Sequence, residues 1–282
     1  MSDWADARIW ITGASSGIGE ALVDAFARRG ARIALTARRA DRLQAIATRN
    51  AARTTPAAET ISARLLVVPA DVTNRMSVNA AAQEIEATWG AIDLAIFNAG
   101  GSIEYGRSAV DDRPSGGVPH AAAGPPAPPF LAADYTDTMV LNYFSVMYGI
   151  DAVLPGMLAR GAGHIAAVAS LAGYRALPTG GAYGASKAAV IHALDSLRFE
   201  VEPRGVRVSV INPGFVRTPL TARHTFHMPF LVDANVAAER IVAGLEHNRR
   251  EIHFPAPMSW MMKLFRILPY GLYAQVMKAM SR

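Results

Sequence analysis

The sequence contains no cysteine. Disulfide staples, thiolate metal sites and cysteine nucleophiles are therefore excluded, and cysteine usage leaves the redox compartment undetermined. It also lacks any uncharged apolar run of the roughly 18 residues that a bilayer-crossing helix requires. The start, Met1-Ser2-Asp3-Trp4-Ala5-Asp6, carries two acids and no apolar stretch, which is the wrong pattern for a secretory signal. A cytoplasmic protein is expected. The seven histidines form no ligand-like cluster beyond His224 with His227, so no metal is expected. Charged residues are only 18% of the chain, and the excess of +5 comes from arginines scattered in ones and twos without interleaved aromatics. Nucleic acid is thus not an expected partner. What remains is a 282-residue chain that is 51% hydrophobic, too apolar for disorder and long enough to bury one large core.

The apolar residues are arranged as short runs that alternate with helical patterns. Strands are expected at Ala7 to Ile11, Arg32 to Thr36, Leu65 to Val68, Leu94 to Phe97, Gly163 to Ala169 and Val206 to Ile211. Helices are expected at Glu20 to Arg29, Asp41 to Asn50, Ser77 to Trp89, Tyr135 to Leu158 and Tyr183 to Glu202. Such alternation implies βαβ units, and hence an α/β fold with a doubly wound parallel sheet of the Rossmann type. In these sheets ligands bind beyond the carboxyl ends of the strands, where the first glycine-rich turn, Asp71, Asn98 and Ser170 all fall.

Two stretches break the rhythm. Residues 101–133 are rich in Pro, Ala and Gly, including Gly124-Pro125-Pro126-Ala127-Pro128-Pro129, and predict a long, partly disordered surface loop that could serve as a lid on the substrate side. After the last strand, residues 256–282 predict an amphipathic helical extension to a domain of residues 1–255. Met258 to Leu268 sets Ser259, Lys263 and Arg266 on one side and Trp260, Met261, Leu264, Phe265 and Leu268 on the other. Tyr270 to Met280 adds a second apolar segment. This tail would pack on its own domain or a second subunit, cover the substrate pocket, or contact a membrane surface peripherally.

The chemistry-bearing residues begin with Thr12-Gly13-Ala14-Ser15-Ser16-Gly17-Ile18-Gly19, which joins a strand to a helix. Glycines let a backbone approach a pyrophosphate, and the helix amino terminus favours its charge. The acid that usually follows the second strand to bind ribose hydroxyls is missing. Thr36-Ala37-Arg38-Arg39 stands there instead, offering guanidinium groups to the extra phosphate of NADP(H). Further along, Tyr183 and Lys187 are four apart on a helix, so an ammonium lies beside a phenol and, with the cofactor's positive nicotinamide, would bring its pKa down towards a usable range. Ser170, at a strand end, can share a substrate oxygen with that tyrosine.

With these residues the chain resembles the short-chain dehydrogenase/reductase family. The glycine turn resembles its cofactor turn, Asp71-Val72 its adenine-side acid and Asn98-Ala99-Gly100 its central strand-end motif. Asn142, Ser170, Tyr183 and Lys187 resemble its catalytic tetrad, and Pro213-Gly214 with Val216 and Thr218 the loop at the nicotinamide end. The motifs span residues 12 to 218. The resemblance implies hydride transfer between a nicotinamide and a carbonyl or secondary alcohol, with Tyr183 exchanging a proton, Ser170 positioning the oxygen, Lys187 holding the nicotinamide ribose and Asn142 holding a water. Arg38 and Arg39 favour NADP(H) over NAD(H), and the resemblance implies a small-molecule substrate, with a lipophilic one as an option, and a homodimer or homotetramer. Two departures stand out: the long 101–133 insertion, and Tyr143-Phe144 after Asn142 where the family often has glycine. The alternatives are an NAD-dependent alcohol dehydrogenase of the same family and a non-catalytic dinucleotide-binding regulator.

Overall fold

Short runs of β-branched and aliphatic residues form the strands in the computed structural model, which describes residues 4–52, 64–102, 131–178, 180–223 and 228–280. The strands are β1 (Arg8–Thr12), β2 (Arg32–Thr36), β3 (Leu65–Val67), β4 (Leu94–Phe97), β5 (Gly163–Val168), β6 (Val206–Pro213), β7 (Val216–Arg217), β8 (Val232–Asp233) and β9 (Glu251–Phe254). Seven of them build one parallel sheet in the order β3-β2-β1-β4-β5-β6-β9, and β7 pairs separately with β8. The chain winds outward from β1 to β3, then returns to the middle at β4 and winds the other way. That reversal opens a crevice at the carboxyl ends of β1 and β4.

The helices are α1 (Gly17–Ala27), α2 (Ala40–Ala51), α3 (Arg75–Trp89), α4 (Ala132–Met139), α5 (Ser145–Arg160), α6 (Gly181–Val201), α7 (Ala234–Glu246), α8 (Ala256–Ile267) and α9 (Tyr270–Met280). Because side chains alternate along a strand, Ile9, Ile11, Leu94 and Ile96 meet Leu22 and Phe26 of α1 and Ile241 and Leu245 of α7 on one face of the sheet. Trp10, Ala95 and Phe97 meet α3, α5 and α6 on the other. Burial on both faces explains why the strands read as continuous apolar runs. Trp10 fits there because its indole N–H donates to Thr36 Oγ1 at 2.8 Å.

Element boundaries differ from the sequence expectation in informative ways. Ser16 is extended, and the helix after it begins at Gly17, so two of the turn glycines lie inside the first turn of α1. The long helix expected at Tyr135 to Leu158 is α4 and α5 joined through a π-helical turn, Val140–Phe144. Helix α7 and the β7–β8 pair were not among the expected elements. Residues 103–130, most of the expected lid, lie outside the described residues.

The tail corrects one expectation outright. Its buried side is Met258, Ser259, Met262 and Phe265, while Trp260 and Leu264, expected on the packing side, face outward. The reason is local: Ser259 Oγ donates to the Pro255 carbonyl at 2.8 Å, so its hydroxyl is satisfied within the helix and can be buried. Met258, Met262 and Phe265, at i, i+4 and i+7, then supply the contact with the core.

A buried histidine makes the fold acid-sensitive. Ser209 Oγ donates to the Arg249 carbonyl at 2.7 Å, so His164 Nε2, 2.8 Å from that Oγ, must carry the proton and donate. Nδ1 is left without a partner. Burial, with Arg207 adding to it, holds the ring's pKa at about 3, against 6.5 ordinarily. The unfolded chain therefore binds the extra proton first: stability is full above the ordinary value and falls as pH drops from there towards the folded one. At pH near 4.5 the loss from this ring is expected to be about 2–3 kcal/mol. Urea unfolding of wild type and His164→Gln at neutral pH and at that pH measures it, the variant losing less by this amount.

Candidate active site

The first half of the site is built where β1 and β4 end. A side chain at Gly13 would meet Ala99 Cα at 2.8 Å, and one at Gly19 would meet the Gly13 carbonyl oxygen at 2.2 Å and Asn98 Nδ2 at 2.5 Å. Glycine is therefore needed for this backbone approach, whatever the φ angle. Asn98 ties the two strand ends together: Nδ2 donates to the carbonyls of Thr12 (3.1 Å) and Gly13 (3.3 Å), and Thr12 Oγ1 accepts from the amides of Asn98 (3.1 Å) and Ala99 (3.3 Å). The first amides of α1, with no acceptor inside the helix, edge this crevice and suit an anion.

The end of β2 leans on the same turn. Arg39 donates from a terminal guanidinium nitrogen to Ser15 Oγ at 3.1 Å, and exposed Arg38 lies beside it. Past β3, Asp71 Oδ1 accepts from the Thr73 amide (2.9 Å) and hydroxyl (2.7 Å), its own amide donates to Ser77 Oγ at 3.1 Å, and Val72 is buried. A floor of glycine backbone and a helix amino terminus, with a guanidinium at the rim, fit a dinucleotide.

The second half comes from β5 and α6. Ser170 follows β5 directly; its Oγ accepts from the Ala172 amide at 3.1 Å and hydrogen-bonds the Tyr183 hydroxyl. One helical turn on, buried Lys187 points its Nζ at the Val168 carbonyl, 2.8 Å away, and 5.7 Å from the centre of the Tyr183 ring. Desolvation lowers the lysine's pKa to about 8. In the protein alone burial pushes the phenol up, and the Ser170 hydrogen bond only partly offsets this. The Lys187 ammonium donates to the Val168 carbonyl rather than to the phenol. Tyr183 is protonated at neutral pH.

Asn142 lies in the π-helical turn, fully buried, and its amide is engaged on three sides. Oδ1 accepts from the Gly101 amide at 2.8 Å, and Nδ2 donates to the Gly101 carbonyl at 2.8 Å and to Ser186 Oγ at 2.9 Å. A side chain at Gly100 would meet Asn142 Oδ1 at 2.7 Å and Lys187 Nζ at 3.0 Å, so the end of β4, Asn142 and Lys187 converge at one point. The bulky Tyr143 and Phe144 do not disturb this, since they stack edge to face with centres 5.2 Å apart and Phe144 is exposed. Beyond β6, Thr218 stands over the glycine turn, its Cγ2 3.0 Å from where a side chain on Gly17 would begin. Gly214, after Pro213, donates its amide to the Phe254 carbonyl at 2.7 Å, and Val216 is buried.

Several residues around the site carried no sequence signal. Ser186 links Asn142 to the Tyr183 carbonyl. Tyr174, four residues after Ser170, donates its hydroxyl to Glu251 Oε1, and Lys263 of α8 donates to Glu251 Oε2 at 2.7 Å. Burial alone would raise the Glu251 pKa, but these two hydrogen bonds, with the charges of Lys263 and His253, outweigh it and hold the carboxylate below its ordinary range. Met258 of α8 rests on Gly214, where a side chain would meet its sulfur at 2.8 Å, and the Arg175 guanidinium lies 4.5 Å over the Tyr273 ring of α9. The tail therefore braces both the turn after Ser170 and the loop after β6. Among the described residues no three histidines or acids are placed to hold a metal ion, and His224 and His227 lie outside those residues.

Comparison with known proteins follows the same lines. Residues 7–228 match the family model described as short chain dehydrogenase. An uncharacterized oxidoreductase of Myxococcus xanthus is 33% identical over 263 residues, covering 93% of each chain. Dehydrogenase/reductase SDR family member 7B of Bos taurus is 30% identical, covering 98% of this chain and 82% of its own. Among solved structures, a short chain dehydrogenase from Burkholderia cenocepacia in complex with NADP superposes with a TM-score of 0.73 at 24% identity, over 97% of this chain and 98% of that one. A short chain dehydrogenase/reductase from Burkholderia phymatum in complex with NAD gives the same score at 22% identity, over 94% of both chains.

Proposed function

This chain belongs to the short-chain dehydrogenase family, and from that premise we propose that it is an NADP(H)-dependent reductase of a ketone or related carbonyl group, with Tyr183 as its acid. The observation that carries this is the protonated Tyr183 hydroxyl hydrogen-bonded to Ser170, one helical turn from the buried Lys187 cation. A carbonyl oxygen set between the two hydroxyls would accept a hydrogen bond from each. As its carbon gains a hydride, that oxygen takes the phenol proton, and the Lys187 ammonium favours the phenolate left behind. Asn142, engaged with Gly101 and Ser186, positions the end of β4 against Lys187.

The bound nicotinamide cofactor would supply the hydride. Thr12, Gly13 and Ser15 to Gly19 would hold its pyrophosphate, Arg38 and Arg39 its additional phosphate, and Asp71 with Val72 its adenine. Asn98, Ala99 and Gly100 would line the cleft, and Pro213, Gly214, Val216 and Thr218 would close the nicotinamide end. Arg39 on Ser15, in a position without an acid, supports NADP(H) over NAD(H). A homodimer or homotetramer would form through α5 and α6, whose outer face holds an apolar groove of about 690 Å³ lined by Tyr143, Met147, Ile150, Ala193 and Leu197.

The test is a panel of aliphatic, aromatic and lipophilic ketones offered with NADPH or NADH, followed by loss of the reduced nicotinamide's absorbance. NADPH-driven turnover about tenfold or more above that with NADH is the expected result. Turnover driven by NADH makes the chain an NAD-dependent enzyme, and tight NADPH binding without turnover on any ketone makes it a non-catalytic binder.

A further inference from the structure

Helix α8 is apolar on two opposite faces. The inner one, Met258, Met262 and Phe265, belongs to the core. On the outer one Trp260, Leu264 and Ile267 are 65%, 54% and 77% exposed, and their spacings of four and three residues set them in a single row. After Pro269 the row is followed on α9 by Tyr270 and Leu272, 77% and 54% exposed. A lone exposed leucine needs no explanation, but five bulky apolar side chains within residues 260–272 form a patch of the kind that soluble surfaces rarely leave uncovered.

The charges that the tail itself carries have one sign. From residue 252 to residue 282 the chain holds no aspartate or glutamate, yet it holds Lys263, Arg266, Lys278 and Arg282. Lys263 reaches back to Glu251 while its ammonium lies 5.5 Å from the Trp260 ring centre, and Arg266 and Lys278 are exposed. Pairing this face with the same face of a second copy would set cation against cation, with no acid in the stretch to relieve it. Anionic lipid headgroups would attract exposed Arg266 and Lys278, and the indole of Trp260 and the phenol of Tyr270 suit the boundary between headgroups and acyl chains. No helix among the described residues is long and apolar enough to cross a membrane, so the contact is one of lying on the surface.

We propose that the outer face of α8 and the start of α9 bind this protein to an anionic bilayer surface, with Trp260, Leu264 and Ile267 inserted at the headgroup boundary. The proposal does not depend on the cofactor or the reaction.

Co-sedimentation of the full chain with vesicles of phosphatidylcholine alone, or of phosphatidylcholine and phosphatidylglycerol in equal parts, tests it. Wild type is expected to pellet with the anionic vesicles, at least about tenfold more tightly than with the neutral ones, to be released as salt rises from about 0.1 to 0.5 M, and to show a blue shift of tryptophan emission. The triple substitution Trp260→Ser, Leu264→Ser, Ile267→Ser should weaken binding at least about tenfold. Met76→Ser, which removes an equally exposed apolar side chain from α3, should not. The single variant Trp260→Ser, with circular dichroism of all variants, keeps loss of binding separate from loss of fold. Absence of binding to anionic vesicles, or binding that the triple variant retains, overturns the proposal. So does a triple variant that moves to a smaller species in sedimentation velocity while wild type ignores vesicles, because the face would then be covered by a second copy.

Discussion

Tyr183→Phe is expected to lower turnover at least about a thousandfold while NADPH affinity stays within about threefold of wild type. The substitution removes a single oxygen. The ring remains to fill its place beside Lys187, and Ser170 retains the acceptor contact with the Ala172 amide. What disappears is the proton and one of the two hydroxyl donors facing a substrate oxygen. Ser170→Ala should cost less, about a hundredfold, since it removes a donor and leaves the acid. Steady-state NADPH oxidation and a fluorescence titration of NADPH on the same preparations separate the two effects. A Tyr183→Phe protein within tenfold of wild type would place the acid elsewhere.

The second large effect is expected at Gly19. A methyl group there would lie 2.2 Å from the Gly13 carbonyl oxygen and 2.5 Å from Asn98 Nδ2, and the first of these is backbone that cannot step aside alone. Gly19→Ala must therefore push α1 away from the end of β1 or break the Asn98 tie to Thr12 and Gly13. Overpacking of this kind costs about 1–3 kcal/mol, and the shift falls on the crevice that suits a pyrophosphate. NADPH affinity is expected to fall at least about a hundredfold. Gly30→Ala is the comparison: Gly30 has φ +76 with its nearest neighbour at 3.8 Å, so it costs about 1 kcal/mol of backbone strain and leaves NADPH binding alone. Thermal unfolding of both variants, read beside their NADPH titrations, checks that strain in the fold and damage to the crevice are distinct.

The parts of this molecule that the sequence discloses are those in which a short stretch decides its own geometry. Strand positions follow from apolar runs because the sheet is buried on both faces, and the glycine turn is legible because strand, turn and helix are contiguous. Tyr183 and Lys187 are legible because a helix sets their relation within one turn. The Tyr174–Glu251–Lys263 contacts join three separate elements, with Tyr174 lying 77 residues from Glu251, so no local pattern announces them. The direction of the Tyr183 shift depends on burial outweighing the Ser170 hydrogen bond, both of which are tertiary facts. The tail misleads for a related reason. Both sides of α8 carry large apolar residues, so periodicity identifies the helix but not which side meets the core, and a buried serine bonded to the carbonyl four residues earlier settles it. The π-helical turn at Asn142 is similarly hidden, since its residues read as ordinary helix.

The proposed function rests most heavily on NADP(H) being held by Arg38 and Arg39, just after β2. Fluorescence titration of wild type, Arg38→Ala and Arg39→Ala with NADPH and with NADH tests it without any knowledge of the substrate. Wild type is expected to bind NADPH at least about tenfold tighter than NADH, with the preference lost in Arg39→Ala and NADH affinity unchanged. Equal affinity for the two cofactors in wild type, or a preference for NADH, would contradict it.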